Sequence, residues 1–156
     1  MTSSTQGRRD GGLGLSAERV IAAPAQAIFD AFVALYDSDR PAWVTSSDLD
    51  LRPGGHWNVT FAVPGGPEFR EERTLTVLEP PGRIAYDAEH IYADSPSFTT
   101  SVDVTIDEVP GGHRIRLVQE GFPAQRTRDD FAGAWPDVLA ELDRRVHLAG
   151  GDASSR

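Results

Sequence analysis

At 156 residues, with 39% hydrophobic and 25% charged side chains, the chain has the size and composition of one soluble domain with a sizeable core. A formal net charge of −9 argues against partners that reward Lys and Arg, namely nucleic acid and anionic membrane surfaces. The lack of Cys excludes disulfides, thiol catalysis and thiolate metal sites, and because all 15 basic residues are Arg, lysine chemistry is excluded as well.

Residues 1–16 are rich in Ser, Gly and Arg and lack the apolar stretch of a signal peptide, so a disordered tail is expected there. A second, flexible tail is expected over 150–156. No apolar run approaches the ~20 residues that span a bilayer, and the expected location is the cytoplasm. Glu18 to Ala22 alternates polar and apolar residues, which suits a half-buried first strand. Pro24 then opens a helix where its missing N–H costs nothing, and Ile28, Phe32 and Leu35 recur on one face beside Phe29. Asp37 to Val44, which contains Pro41 and Trp43, reads as a turn or a short second helix.

Strand then follows strand from Asp48 to Phe122. Asp48 to Leu51 ends at Pro53-Gly54-Gly55, and His56 to Val63 alternates with Trp57, Val59 and Phe61 on one face. Phe69 to Leu78, Arg83 to Ile91, Phe98 to Val109 and His113 to Glu120 follow, separated by Pro- and Gly-rich turns or, once, by a looser connection through Asp94 and Pro96. About seven strands joined mostly by short turns make an antiparallel meander, with the first strand set off by helix. Thr127 and Asp130 have a capping-box-like spacing, and Phe131, Trp135, Val138, Leu142 and Val146 define the buried face of a final helix. Pro136 inside that pattern predicts a kink near Trp135, with firm helix from Pro136 to about Leu148. A long helix after such a sheet settles on its concave face, and the gap between the two layers suits a small-molecule guest.

Several stretches resemble a known group. Arg19-Val20-Ile21-Ala22-Ala23-Pro24 running into Ile28-Phe29 resembles the opening of the helix-grip (SRPBCC) proteins. That group includes START domains, polyketide cyclase-like proteins and the domain at the C-terminus of the Hsp90 ATPase activator. Three further stretches are similar to the last of these: Trp43 with Arg52-Pro53-Gly54-Gly55-His56-Trp57, Val77 to Arg83, and Glu120-Gly121-Phe122 leading to Trp135 and Leu139. The likeness runs in order over roughly residues 18–148. It implies an α+β helix-grip fold of the START/Bet v 1 type over residues 17–149. The expected architecture is a curved antiparallel sheet gripping a long C-terminal helix, with two short helices after the first strand. It also implies binding of apolar or amphipathic small molecules. Helix-grip proteins often pair, so a homodimer is compatible with it. A chaperone partner is weakened by the lack of the additional N-terminal domain of the eukaryotic activators.

Strand parity selects the candidate site. Trp57, Val59 and Phe61 face inward on one strand, and Leu75 and Val77 carry Arg73, Glu71 and Phe69 inward on the next. Ile84 and Tyr86 imply the same for Ala88 and His90. Val102 and Val104 carry Thr100 and Phe98, and Ile115 and Leu117 carry Gln119. Glu71, Arg73, His90 and Gln119 would thus point into a cavity walled by Phe32, Trp43, Trp57, Val59, Phe61 and Phe69. Leu75, Tyr86, Phe98 and Val102 extend that wall, and Phe131, Trp135 and Leu139 close it from the last helix. A few convergent polar groups in an apolar pocket are what a ligand site looks like. Equally, Arg73 and Glu71 would simply pair near an open sheet edge with no ligand at all.

Of the four histidines, His56 is expected in solvent, His113 beside a turn and His147 near the helix end, in favourable contact with its dipole. Their scatter shows no metal-ligand spacing, and no Gly-rich phosphate loop is present, so neither metal nor cofactor is expected. The leading expectation is a non-catalytic binding module for a small, largely apolar ligand. The alternatives are a cyclase-, aromatase- or hydrolase-like enzyme using His90 with Glu71 as acid and base, and a chaperone-interacting protein.

Overall fold

The computed structural model describes residues 13–62 and 64–154. Along the chain it forms β1 (Leu13–Ile21), α1 (Ala25–Leu35), β2 (Val44–Leu49), β3 (Trp57–Ala62) and β4 (Glu68–Glu79). Then come β5 (Arg83–Tyr92), β6 (Phe98–Val109), β7 (Gly112–Phe122) and α2 (Gln125–Ser154). The strands make one seven-stranded antiparallel sheet in the order β1-β7-β6-β5-β4-β3-β2. Strands β2 to β7 are the expected meander, while β1 crosses over to pair with β7 and leaves β1 and β2 as the two edges. Gly112 is held to glycine at that crossover. Its φ is 145°, and a Cβ there would lie 2.2 Å from the Ile21 carbonyl oxygen.

The sheet curls around α2, which lies against β1, β7 and α1. Alternating side chains from the inner face supply the core, among them Trp57, Leu75, Ile84, Tyr86, Val104 and Leu117. Helix α1 adds Ile28, Phe32 and Leu35, and α2 adds Leu139, Leu142 and Val146 at steps of three and four. The far half of α2 is tied down by ion pairs, Arg19 to Asp143 at 2.8 Å from β1 and Arg145 to Asp39 at 3.0 Å from the turn after α1. Each pair has one partner in solvent, Arg19 and Asp39, so packing more than charge fixes the helix.

The structure corrects several boundaries. Strand β1 begins at Leu13, so residues 13–16 of the expected tail are strand, while the tail up to residue 12 lies outside the described residues. Within β1 it is Leu15 and Ile21 that are buried, and Val20 is 46% exposed. Residues 36–43 are turns and not a second helix. Asp37, Ser38 and Asp39 compete for backbone hydrogen bonds there, and Pro41 lacks the N–H a helix needs. Pro24 caps α1 from just outside, with extended ψ of 151°. Helix α2 is continuous from Gln125 to Ser154, through Pro136 and into the expected C-terminal tail; residues 155–156 lie outside the described residues. Pro136 is exposed, and it costs the helix one i→i−4 hydrogen bond without ending it. His147 is consequently not at a helix end; its Nδ1 lies 2.7 Å from the Asp143 carboxylate and 2.9 Å from the Asp143 carbonyl.

Candidate functional site

A chain of buried polar side chains crosses the inner face of the sheet. Arg73 Nε donates to Glu71 Oε1 at 2.9 Å, and Glu71 Oε2 lies 3.4 Å from His90 Nδ1, the residue opposite it on β5. His90 Nε2 meets Thr100 Oγ1 at 2.9 Å, Gln119 Nε2 donates to the same oxygen at 3.0 Å, and Trp135 Nε1 donates to Gln119 Oε1 at 2.9 Å. Four neighbouring strands and α2 are joined in this way. Each of the five strand residues is at most 6% exposed, so the hydrogen bonds among them replace ones that water would otherwise supply, while His90 Nδ1 and Arg73 Nη1 are left without a hydrogen-bond partner.

The Arg73 end of the chain is sealed. Its guanidinium carbon lies 4.6 Å from the ring centroids of both Trp57 and Tyr86, 4.8 Å from that of Tyr36 and 6.0 Å from that of Phe61. Each such contact is worth about 2 kcal/mol once desolvated. Burial works against the charge of Arg73, but Tyr86, Glu71 and Tyr36 outweigh it and hold the group above its ordinary pKa. Burial also pushes the Tyr86 phenol up to about 12, and the Tyr36 phenol further still. His90 is the opposite case: burial, with help from Arg73, lowers its pKa against the pull of Glu71, so its ring is neutral.

The other end is open. A cleft of about 760 Å³ lies between the ends of β4, β5 and β6 and the first turns of α2. Its floor is aromatic. Phe69 stacks on Tyr92 with centroids 4.9 Å apart, Tyr92 lies 6.1 Å from Phe98, and Phe131 comes down from α2 to 6.2 Å from Phe69. All four rings are half-buried. His90 sits immediately beneath, stacked on Phe98 at 4.6 Å and edge-on to Phe131 at 5.2 Å. Glu68, Asp94, Ser95, Thr127 and Asp130 form the rim.

The expected cavity wall therefore divides. Phe69, Phe98 and Phe131 line the cleft, whereas Phe32, Trp57, Val59, Phe61, Leu75, Tyr86, Val102 and Leu139 are buried core. Trp43 is half-buried and stacks on Phe61 at 6.1 Å. Glu71, Arg73, His90 and Gln119 do converge, with Trp135, but on one another, and none of them lines the cleft. Val77 is a correction. A bulge between Leu75 and Val77 reverses the parity, so that Leu78 pairs with Ile84 and packs on the core while Val77 lies opposite Ala85.

Three residues outside the expected set matter here. Tyr92 follows the parity of His90, and Thr100 that of Phe98 and Val102, so both carried a signal. Tyr36 continues the Ile28, Phe32 spacing one step beyond the helix. Among the described residues, no group of three or more His, Asp or Glu side chains is placed to hold a metal ion. No helix among the described residues is long and apolar enough to cross a membrane.

A curled antiparallel sheet closed on a long C-terminal helix, with one short helix after the first strand, defines a helix-grip protein. Within that class, residues 22–147 match the model of the Activator of Hsp90 ATPase homolog 1-like proteins, and the chain belongs to that family. No curated protein matches the chain. Among solved structures, a protein from Chromobacterium violaceum is similar at 24% identity and a TM-score of 0.69, over 85% of this chain and 96% of that one. A protein from Rhizobium leguminosarum is similar at 21% identity and a TM-score of 0.69, over 86% and 95%. Ara h 8.0201 shares only 13% identity but reaches a TM-score of 0.71 over 88% and 99%. At these identities the likeness speaks for the fold.

Proposed function

We propose that this chain binds a small, mainly apolar or amphipathic molecule in the cleft between the sheet and the start of α2. The observation that carries the reading is the cleft itself, about 760 Å³ with a floor of four half-buried aromatic rings. That volume falls in the range of small-molecule sites, and aromatic surface left half in water at a concave mouth gains free energy when a guest covers it. Binding is favoured over turnover because His90, the one imidazole in the polar chain, is 0% exposed and Glu71 only 6%. A guest in the cleft meets the rings above His90 before it meets His90.

Native mass spectrometry beside a denatured control, followed by titration of the stripped protein with phenylbutanol, tests the reading. Ala134 lines the cleft and is exposed, so Ala134→Trp narrows it without disturbing the core. The expected result is saturable binding by the unaltered chain and clearly altered affinity in the variant. Affinity unchanged by Ala134→Trp, or no saturable binding at all, overturns the proposal.

A further inference from the structure

We propose that His90 gates this cleft by pH: a proton taken up at its ring loosens the first turns of α2, which form the roof, and weakens the hold on a guest. The inference rests on the cleft being the ligand site and concerns its regulation. The hydrogen bonds of the polar chain have one direction. The Trp135 indole can only donate, so the atom that meets it at 2.9 Å is Gln119 Oε1, and the Gln119 NH2 donates to Thr100 Oγ1 at 3.0 Å. The Thr100 hydroxyl in turn donates to His90 Nε2 at 2.9 Å. The proton of the neutral ring then sits on Nδ1, which lies 3.4 Å from the Glu71 carboxylate. The opposite tautomer would aim a lone pair at that negative charge. One polarity thus runs from Trp135 on α2 to His90 beneath the cleft floor, and Trp135 fixes it.

A proton on Nε2 reverses the step to Thr100. Two hydrogens cannot share one 2.9 Å contact, so the Thr100 hydroxyl turns away. Thr100 is 1% exposed, and among the described residues its hydroxyl bonds only to His90 and Gln119. Its hydrogen regains an acceptor when the Gln119 amide turns over and offers Oε1. That turn sets the Gln119 NH2 against the Trp135 N–H, donor against donor, and the link to α2 breaks. The break falls there because Trp135, at 7%, is the most exposed member of the chain and the one most within reach of water. Phe131 and Ala134, which line the cleft, lie within about one turn of Trp135 on the same helix. The charged groups facing the ring are Glu71 and Arg73, both on β4, while β6 brings Thr100 and Phe98 and α2 brings Phe131, none of them charged. Burial outweighs the pull of Glu71 and keeps the ring neutral until the pH falls below its ordinary 6.5.

The test is a phenylbutanol titration of the stripped protein from about pH 7.5 to about pH 4.5, beside NMR signals of the Trp135 indole N–H and the His90 ring nitrogens. The alcohol is neutral, so titration of Glu68, Asp94 and Asp130 on the rim leaves its charge balance alone. Above the His90 midpoint the ring is expected to carry its proton on Nδ1 and none on Nε2. Below it, alcohol affinity is expected to fall about fivefold, the worth of one hydrogen bond, and the Trp135 signal to shift with the midpoint of the ring. Trp135→Phe keeps the bulk without the N–H, and is expected to bind at neutral pH as weakly as the unaltered chain does in acid. His90→Gln is expected to remove the pH dependence. Affinity that ignores the titration of the ring, a Trp135 signal that does not follow it, or a fall that persists in His90→Gln overturns the gate. A ring that stays neutral until the chain unfolds overturns it too. No saturable binding at any pH overturns the cleft reading instead. The two NMR signals need no guest and no variant, so they decide the coupling from His90 to α2 in that case, and also where a variant fails to fold.

Discussion

The two ends of the space between sheet and helix are built from the same kinds of residue and come out opposite. At one end Tyr36, Trp57, Phe61 and Tyr86 enclose a side chain of the protein, the Arg73 guanidinium. At the other, Phe69, Tyr92, Phe98 and Phe131 enclose about 760 Å³ of open cleft. What differs is the cover. The Arg73 end is roofed by α1 and its following turn, through Phe32 and Tyr36 against Trp57 at 6.1 and 5.8 Å. The cleft end is roofed only by the first turns of α2. Aromatic composition thus does not decide between core and site; the second layer does.

The comparison breaks most visibly at Arg73. Arg73→Ala strips the sealed end of its cation and leaves the buried Glu71 with only the neutral His90 ring beside it, for an expected loss of about 3–5 kcal/mol in chemical denaturation. Pairing it with Glu71→Gln is expected to recover part of that loss. Thr100→Val is milder. It removes the hydroxyl that meets His90 and accepts from Gln119, and the expected cost is about 1–3 kcal/mol by the same measurement.

Acid sharpens the contrast further. The folded pKa of His90 lies below its ordinary 6.5, so between the two values the unfolded chain holds the extra proton. The contribution of His90 is therefore present in full above about pH 6.5 and lost as pH falls through the depressed folded value. His90→Gln is expected to flatten the fall in stability below about pH 6.5, read from denaturation midpoints across a pH series. At the open end the smallest effect is expected. Asp130→Asn should leave stability within about 0.5 kcal/mol of the parent, because the carboxylate is exposed and unpaired among the described residues.

Much of this was legible in the residues. The inward set on β4 to β7 follows from period-two alternation bounded by Pro-Gly turns, and Glu71, Arg73, His90 and Gln119 come together because that alternation holds along each strand. It failed at Val77 because a bulge costs one residue of parity and leaves no mark in composition. The division between sealed and open ends was not legible. Side-chain direction is a property of one strand, whereas cover depends on where α1 and α2 cross the sheet. For the same reason Tyr36, supplied by a turn, was absent from the expected wall. Strand β1 was cut short because its glycine- and serine-rich start masks the alternation of Leu13, Leu15 and Ala17.

The polar chain also resolves an ambiguity in how the sheet is assembled. Sliding β4 along β5 by two residues returns every apolar side chain to the inner face, so burial alone hardly distinguishes that arrangement from the native one. The same slide sets Glu71 opposite Ala88 or Tyr92 instead of His90, although Arg73, on the same strand, moves with it. The links from Glu71 to His90, His90 to Thr100, Thr100 to Gln119 and Gln119 to Trp135 act as a checksum on register: sliding any one of the four strands past its neighbour breaks at least one of them.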